Sequence, residues 1–366
     1  MVRTLARYVR AESPSFDKAA VDGLGRVVAA DWRRLRARVT FLPQKNRGNH
    51  LRAELWLGRG RPARQILILG HLDTVYDLGE IKKMPYQVRR GRASGPGALD
   101  MKSGLVIALF AAAALRDARL GPRKRLVFLW TSDEEIGSRT SRRAIEREAV
   151  RSDAVLVLEP GTGRAGRLKT ARKGVGEMEL HVIGRASHAG VAPQAGINAV
   201  HELALQLARI ARFNDPRRGI TVNADVVTGG TRANVIAGRA SAWIDLRVTH
   251  AADAARLHRK FRALRPVLRG AKLQIRGGMD RPPMVRTGAV VRLFRQAQAV
   301  ARELGWRAEE SFSGGGSDAN FTAALGIPTL DGLGGVGAGA HTPGEFVFVD
   351  SLPRRAALLA GLLLRL

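Results

Sequence analysis

The sequence predicts an α/β protein: a mostly parallel sheet catalytic domain covered by helices, interrupted by an inserted ferredoxin-like α+β domain. Three observations predict it. Apolar runs at 66–69, 126–130 and 154–158 are too short for helices, and they alternate with helical stretches as buried strands of a parallel sheet do. Each run ends in a His or a carboxylate, at the rim where open α/β sheets build their sites. Between 173 and 281 the order becomes β-α-β-β-α-β, that of the split ferredoxin-like motif. The expected domains are 1–172 (catalytic, first part), 173–281 (insert) and 282–366 (catalytic, second part).

Taken in order, residues 1–58 read as a helical region, strongest over 18–38, then strands at 39–42 and 51–57 around a polar turn at 45–49. The strand to Leu69, a helix after Asp100, the strand to Trp130, a helix near 141–149 and the strand to Leu158 follow. In the insert, 177–183 alternates, with Met178, Leu180 and Val182 on one face. A helix over 199–210, strands at 220–227 and 240–248, a helix over 252–264 and a last strand at 273–275 complete it. Beyond Pro282, Ser317-Asp318 opens a helix, 328–330 is a short strand, and Ser351-Leu352-Pro353 starts a terminal helix with a serine cap before an early proline.

The 366 residues, 45% of them hydrophobic, supply material for two cores. There is no cysteine, so any metal must be held by His, Asp and Glu. Residues 1–8 lack the apolar core of a signal peptide, and 356–366 is too short to span a bilayer; the expectation is a cytoplasmic protein without a membrane partner. The net charge is +29, and 51 of the 61 basic residues are Arg. They are scattered, with no basic motif interleaved with aromatics, so no nucleic-acid partner is expected. Arg bias over a solvated surface accounts for the charge; steering of an anionic substrate is the functional alternative.

Candidate chemistry sits at the strand ends. Asp133, Glu134 and Glu135 directly follow the run 126–130, where three adjacent acids repel one another unless a cation offsets them. His71 and Asp73 follow the first run, Glu159 the third, and Asp100 opens the helix between. Asp133 and Asp100 also suit helix caps. One His with several carboxylates suits zinc, manganese or cobalt, and such a carboxylate-rich set suits two ions sharing a bridge.

The stretches Gly70-His71-Leu72-Asp73-Thr74-Val75, Gly95-Pro96-Gly97-Ala98-Leu99-Asp100-Met101-Lys102 and Ser132-Asp133-Glu134-Glu135-Ile136-Gly137-Ser138 carry a resemblance. With them go Leu158-Glu159-Pro160, the Ser187-His188-Ala189-Gly190 loop, Gly196-Ile197-Asn198-Ala199, the run from Gly229 through Asn234, Asp245-Leu246-Arg247, Gly314-Gly315-Gly316-Ser317-Asp318-Ala319 and His341. In this order the chain resembles the M20 zinc metallopeptidases, and within them glutamate carboxypeptidases of the carboxypeptidase G2 type. The resemblance implies two zinc ions per chain. His71 and Glu159 correspond to terminal ligands of the first, Glu135 and His341 to those of the second, and Asp100 to the bridge. Asp73 corresponds to the acid that orients His71, and Glu134 to the general base. His188 looks like a histidine that crosses a dimer interface to polarise the substrate carbonyl, which implies a homodimer through the inserted lid domain. Asn234 and Arg247 look like contacts for the oxyanion and the substrate carboxylate, joined by Gly316 and Ser317. Arg167, eight residues past Glu159, corresponds to a basic position that would read a glutamate side chain. The resemblance further implies a cis Asp100–Met101 peptide.

The expected function is hydrolysis of the amide bond in small anionic N-acyl amino acids or dipeptides with a free carboxylate, C-terminal glutamate favoured. A deacylase of the acetylornithine or succinyl-diaminopimelate kind is the alternative within the class. A basic polyanion-binding protein on an inactive hydrolase scaffold is the alternative outside it.

Overall fold

The computed structural model describes residues 1–58, 62 and 64–366. The chain divides into two compact units: Met1–Ala171 with Arg286–Ser313 and Ser317–Leu366, and Arg172–Val285 with Gly314–Gly316. The second unit runs wider than the 173–281 read from sequence. Arg172 and Met284 exchange backbone hydrogen bonds of 3.0 and 3.1 Å, which closes its neck beyond residue 281. Arg172 Nη1 also donates to the carbonyls of Gly315 and Gly316 at 2.9 and 3.2 Å, and so ties 314–316 to the same unit.

In the first unit, among the described residues, six strands lie in the order Arg38–Leu42, His50–Leu55, Arg125–Thr131, Gln65–His71, Ser152–Val157, Thr329–Leu330. The last four run parallel, and the first two add an antiparallel edge. Gln65–His71 is buried at every position, as the centre of a sheet covered on both faces must be. Its register pairs His71 with Thr131, so the first run and the acidic run end at one level of the rim. Trp32, from the helix Lys18–Arg34, packs on Phe128 and Trp130 on one face; the Trp32 and Phe128 ring centroids lie 4.1 Å apart. Burying side chains of this size contributes about 1.5–3 kcal/mol each.

The segment Ala98–Asp117 is long and apolar enough to cross a membrane, but 78% of it is buried inside the protein, as a core helix would be. The helix proper, Ser103–Asp117, packs against the terminal helix Ser351–Arg365. Several elements had weak sequence signals. The helix Gly288–Glu303 starts at Thr287, whose hydroxyl accepts from Val290 N. A small sheet joins Gln87–Arg89, Arg92–Ser94, Phe346–Phe348 and Gly337–Ala338, strands too short to show a period.

The second unit has the sheet order Thr221–Gly229, Arg239–Val248, Gly174–Ile183, Lys272–Arg281, antiparallel throughout. With the helices Ala199–Ala211 and Ala251–Arg262 this is the ferredoxin-like arrangement. Met178, Leu180 and Val182 are buried on one face with Ala242, Ile244 and Leu246. The last strand, read as 273–275, runs on to Arg281. The Gly277-Gly278 pair resembles a strand end, yet Gly277 has φ 101° and a Cβ there would stand 2.2 Å from the Glu177 carbonyl oxygen. Glycine lets the two strands meet rather than part.

Candidate metal centre

The site of the first unit is assembled from strand ends. His71 closes the strand Gln65–His71, and Glu159 stands just beyond Ser152–Val157. Glu134 and Glu135 open a short 3₁₀ turn, Glu134–Ile136, after Arg125–Thr131. Asp100 precedes the helix Ser103–Asp117, and the Asp100–Met101 peptide is cis. His341 has φ 64°, a left-handed conformation that His seldom adopts and that costs on the order of 1 kcal/mol or more.

The centre of the cluster is Asp100. Its Oδ1 lies 3.3 Å from His71 Nε2, and its Oδ2 lies 3.4 Å from His341 Nε2. Glu159 Oε1 stands 3.5 Å from His71 Nε2 on one side, and Glu135 Oε2 stands 3.3 Å from His341 Nε2 on the other. Two triads, His71–Asp100–Glu159 and His341–Asp100–Glu135, therefore share one carboxylate. An oxygen of Glu134 lies within 4.8 Å of donor atoms of both His71 and Glu159. The resemblance gave these residues their roles; the structure places them within reach of one another.

Electrostatics shows how much negative charge is concentrated there. Burial pushes Glu135 up to about 7, with Asp100 adding to the shift and His341 opposing it. The carboxylates of Asp100 and Glu135 raise His341 to about 10. At His71 burial opposes the charged imidazole, but Asp100, Asp73 and Glu159 outweigh it and hold the ring well above its usual value. The donor set alone thus retains protons that a divalent cation would displace. Among the described residues, His71 Nε2, Asp100 Oδ1 and Glu135 Oε1 are buried without a hydrogen bond, as atoms kept for a metal are. Two imidazoles, three carboxylates and no thiolate fit a pair of divalent ions of the zinc type.

Asp73 stands beside the imidazole through both its backbone and its side chain. The nearest partner of His71 Nδ1 is the Asp73 backbone carbonyl at 2.9 Å, with the carboxylate at 3.5 Å. The carboxylate also accepts the Ser15 hydroxyl at 2.7 Å and the backbone amides of Glu134 and Glu135 at 3.2 Å each. One buried acid so fixes the tautomer of His71 and the placement of the paired glutamates.

Glu345 was missed in the sequence. It is fully buried, and its carboxylate accepts the amides of Gly97, Leu99 and Asp100 at 3.2, 2.6 and 2.9 Å and the Tyr76 hydroxyl at 2.6 Å. It clamps the turn that presents Asp100. The available signal was its position four residues after His341, on a segment whose strand, Phe346–Phe348, is too short to recognise.

The remaining candidates are dispersed. In the second unit, His188 pairs with Val235 in a β-bridge, and Ala189 N donates to Asn234 O at 2.9 Å, so His188 and Asn234 share one exposed loop pair. Arg247 lies near the far end of the strand Arg239–Val248, where Asp245 accepts its Nε–H at 2.9 Å. Eight residues separate it from Arg239, about 27 Å of strand. One chain therefore does not bring Arg247 to His188 and Asn234. At Gly316 a Cβ would stand 2.8 Å from Val175 Cγ2 and 2.9 Å from Arg281 Cδ, so any larger residue requires those side chains to shift. This puts a buried cation, Arg281, beside the Gly316 backbone, a neighbour not found by sequence reading. Ser317 is fully buried, and its hydroxyl donates to Asp331 at 2.9 Å and accepts from Ala319 N at 3.2 Å, a helix-capping pattern. Arg167 is half-exposed and bound to Glu309 at 2.8 Å.

Carboxylates and imidazoles gathered at the rim of a mostly parallel sheet are the donor set of a divalent-metal enzyme. The family model described as peptidase family M20/M25/M40 matches residues 67–365, and the chain belongs to that family. It is 29% identical over 372 aligned positions to carboxypeptidase G2 of Pseudomonas sp. (strain RS-16), covering 100% of this chain and 89% of that protein. It is also 29% identical to succinyl-diaminopimelate desuccinylase of Stenotrophomonas maltophilia (strain R551-3), over 87% of this chain and 89% of that one. Among solved structures, aminopeptidase PepT from Bacillus cereus ATCC 10987 superposes with a TM-score of 0.81 at 22% identity, covering 99% of this chain and 96% of that one.

Replacing Glu345 by Gln removes the anionic acceptor from three amides while keeping the side-chain volume. Metal affinity, measured by competition with a chromophoric chelator, should fall about 10–100-fold, as for other residues that orient ligands. Unchanged affinity would remove Glu345 from the metal-binding apparatus.

Proposed function

We propose that this M20 hydrolase cleaves the amide bond of small N-acyl amino acids or dipeptides with a free α-carboxylate, C-terminal glutamate first. The observation that carries the chemistry is the placement of the neighbouring glutamates: Glu135 faces His341 and also lies within 4.8 Å of His71 and Asp100, while Glu134 presents an oxygen within 4.8 Å of His71 and Glu159. His71, Glu159 and Asp100 would hold one zinc ion, and Asp100, Glu135 and His341 the other. Zinc held there supplies Lewis acidity and lowers the pKa of water. Glu134 takes a proton from the attacking water and returns it to the leaving amine. His188 donates a hydrogen bond to the carbonyl oxygen as negative charge develops there, with Asn234 beside it. Arg247 holds the α-carboxylate through its guanidinium fork. The glutamate preference is supported by the full-length similarity to a protein named carboxypeptidase G2 and by the cationic surface, which favours a dianionic ligand.

We propose further that the working form is a homodimer through the second unit. A small substrate cannot touch both the His188–Asn234 loops and an Arg247 some 27 Å along the same sheet. Two chains can supply one group each. The strand Thr221–Gly229 supports this: among the described residues it pairs on one side only, and it exposes Val226 and Val227 by 51% and 54%. A second copy would cover such an edge.

The substrate test is kcat/KM for N-acyl glutamate, N-acyl alanine, N-acetylornithine and N-succinyl-diaminopimelate, for wild type and Arg167→Ala. Wild type should favour the glutamate, and Arg167→Ala should depress that substrate more than the alanine. A preference for the succinyl or ornithine substrate would establish the deacylase reading instead.

Mixing tests the dimer. His188→Ala and Glu134→Gln subunits, each inactive alone, should regain activity when exchanged, since one hybrid site contains both groups. No recovery despite demonstrated exchange contradicts action across the interface.

A further inference from the structure

Outside the metal centre, and wholly within the first unit, Arg164, Trp306, Phe348, Asp350, Arg354 and Arg355 line a cavity of about 160 Å³. Its wall contains Arg355, only 2% exposed, whose Nε and Nη1 donate to the carbonyls of Gly334 and Gly166 at 2.9 and 3.0 Å and whose Nη2 donates to Gly332 O. A guanidinium has five N–H donors, so these three bonds leave two. All three acceptors are neutral, and among the described residues Arg355 makes no ion pair; burial lowers it to about 10. A buried cation facing only carbonyls lacks the counter-charge that usually accompanies one. Trp306 has the complementary deficit, since its buried indole Nε1–H finds no acceptor among the described residues. Arg164, placed over the Phe348 ring at 5.8 Å, and Arg354 bring two more guanidinium groups. Asp350 is the lone acid of the lining against three arginines.

A missing counter-charge and a missing acceptor on one small cavity describe the same ligand. We infer that this cavity is a binding site for a small tetrahedral oxyanion, orthophosphate or the head of a compact phosphate monoester. The anion is rich in acceptors, matches guanidinium geometry and is small enough for the volume. It accepts from Trp306 Nε1 and neutralises part of the charge of Arg355, while Arg164 and Arg354 hold its outer oxygens. The site gives a function to a few of the many arginines, independently of the reaction assigned to the metal centre.

The experiment counts orthophosphate bound to the metal-loaded protein by isothermal titration calorimetry. It compares wild type, Arg164→Ala/Arg354→Ala, Trp306→Phe and a control, Arg33→Ala/Arg38→Ala, that removes two exposed arginines elsewhere. Wild type and control should bind one more phosphate per chain than the Arg164/Arg354 variant, or bind that phosphate at least tenfold more tightly, and Trp306→Phe should weaken it several-fold. Phosphate that binds equally to wild type and the Arg164/Arg354 variant belongs to the metal centre and overturns the inference. Equal weakening in the control also overturns it, by assigning the effect to net charge. Repeating the titration with glycerol 3-phosphate distinguishes the sources: tighter binding than orthophosphate indicates a monoester, weaker binding the free anion.

Discussion

The first unit is built around one carboxylate that faces two imidazoles. Asp100 has an oxygen for His71 and another for His341, and a second acid, Glu159 or Glu135, approaches the same Nε2 of each imidazole. Three carboxylates in so small a buried volume repel one another strongly at low effective dielectric. The surrounding architecture resists that repulsion. The parallel strands bring His71 and the acidic turn to one level, Asp73 ties the turn to the histidine loop, and Glu345 clamps the turn of Asp100. Strain is accepted as well, in the left-handed backbone of His341. Order of this kind before any cation arrives reduces the reorganisation needed to bind one.

Much of the fold was legible because its signals are local. The buried strands announce themselves as apolar runs, and Met178, Leu180 and Val182 show the two-residue period of a half-covered sheet. The family resemblance then named the ligand set, including His341, which no spacing argument could have joined to residues 182 to 270 positions upstream. What stayed hidden depends on distant geometry. Glu345 acts only because a short strand carries it beneath the turn at 97–100, and Gly277 looked like a strand terminus because its reason for being glycine is the Glu177 carbonyl on the neighbouring strand. The carboxylate of Asp73, expected beside the imidazole, also accepts backbone amides of the acidic turn, donors that are invisible in a side-chain motif.

The second unit has a different logic. Its covered face is an ordinary apolar core, whereas its edge strand exposes valines and its loops present His188 and Asn234 with no metal-binding cluster around them among the described residues. Groups of this kind acquire chemistry only beside a substrate. The separation of Arg247 from His188 along one strand pair is the physical reason for the proposal that two chains build each site. The scattered arginines fit a solvated, cationic exterior, apart from the few gathered around Arg355.

We propose that Asp100 is shared by two metal ions. Anomalous diffraction from crystals of the zinc-loaded protein, collected on both sides of the zinc edge, tests it most directly. The account predicts two zinc peaks per chain, one contacted by His71 and Glu159, the other by Glu135 and His341, with Asp100 touching both. A single peak in fully active protein, or a second ion without contact to Asp100, would contradict it.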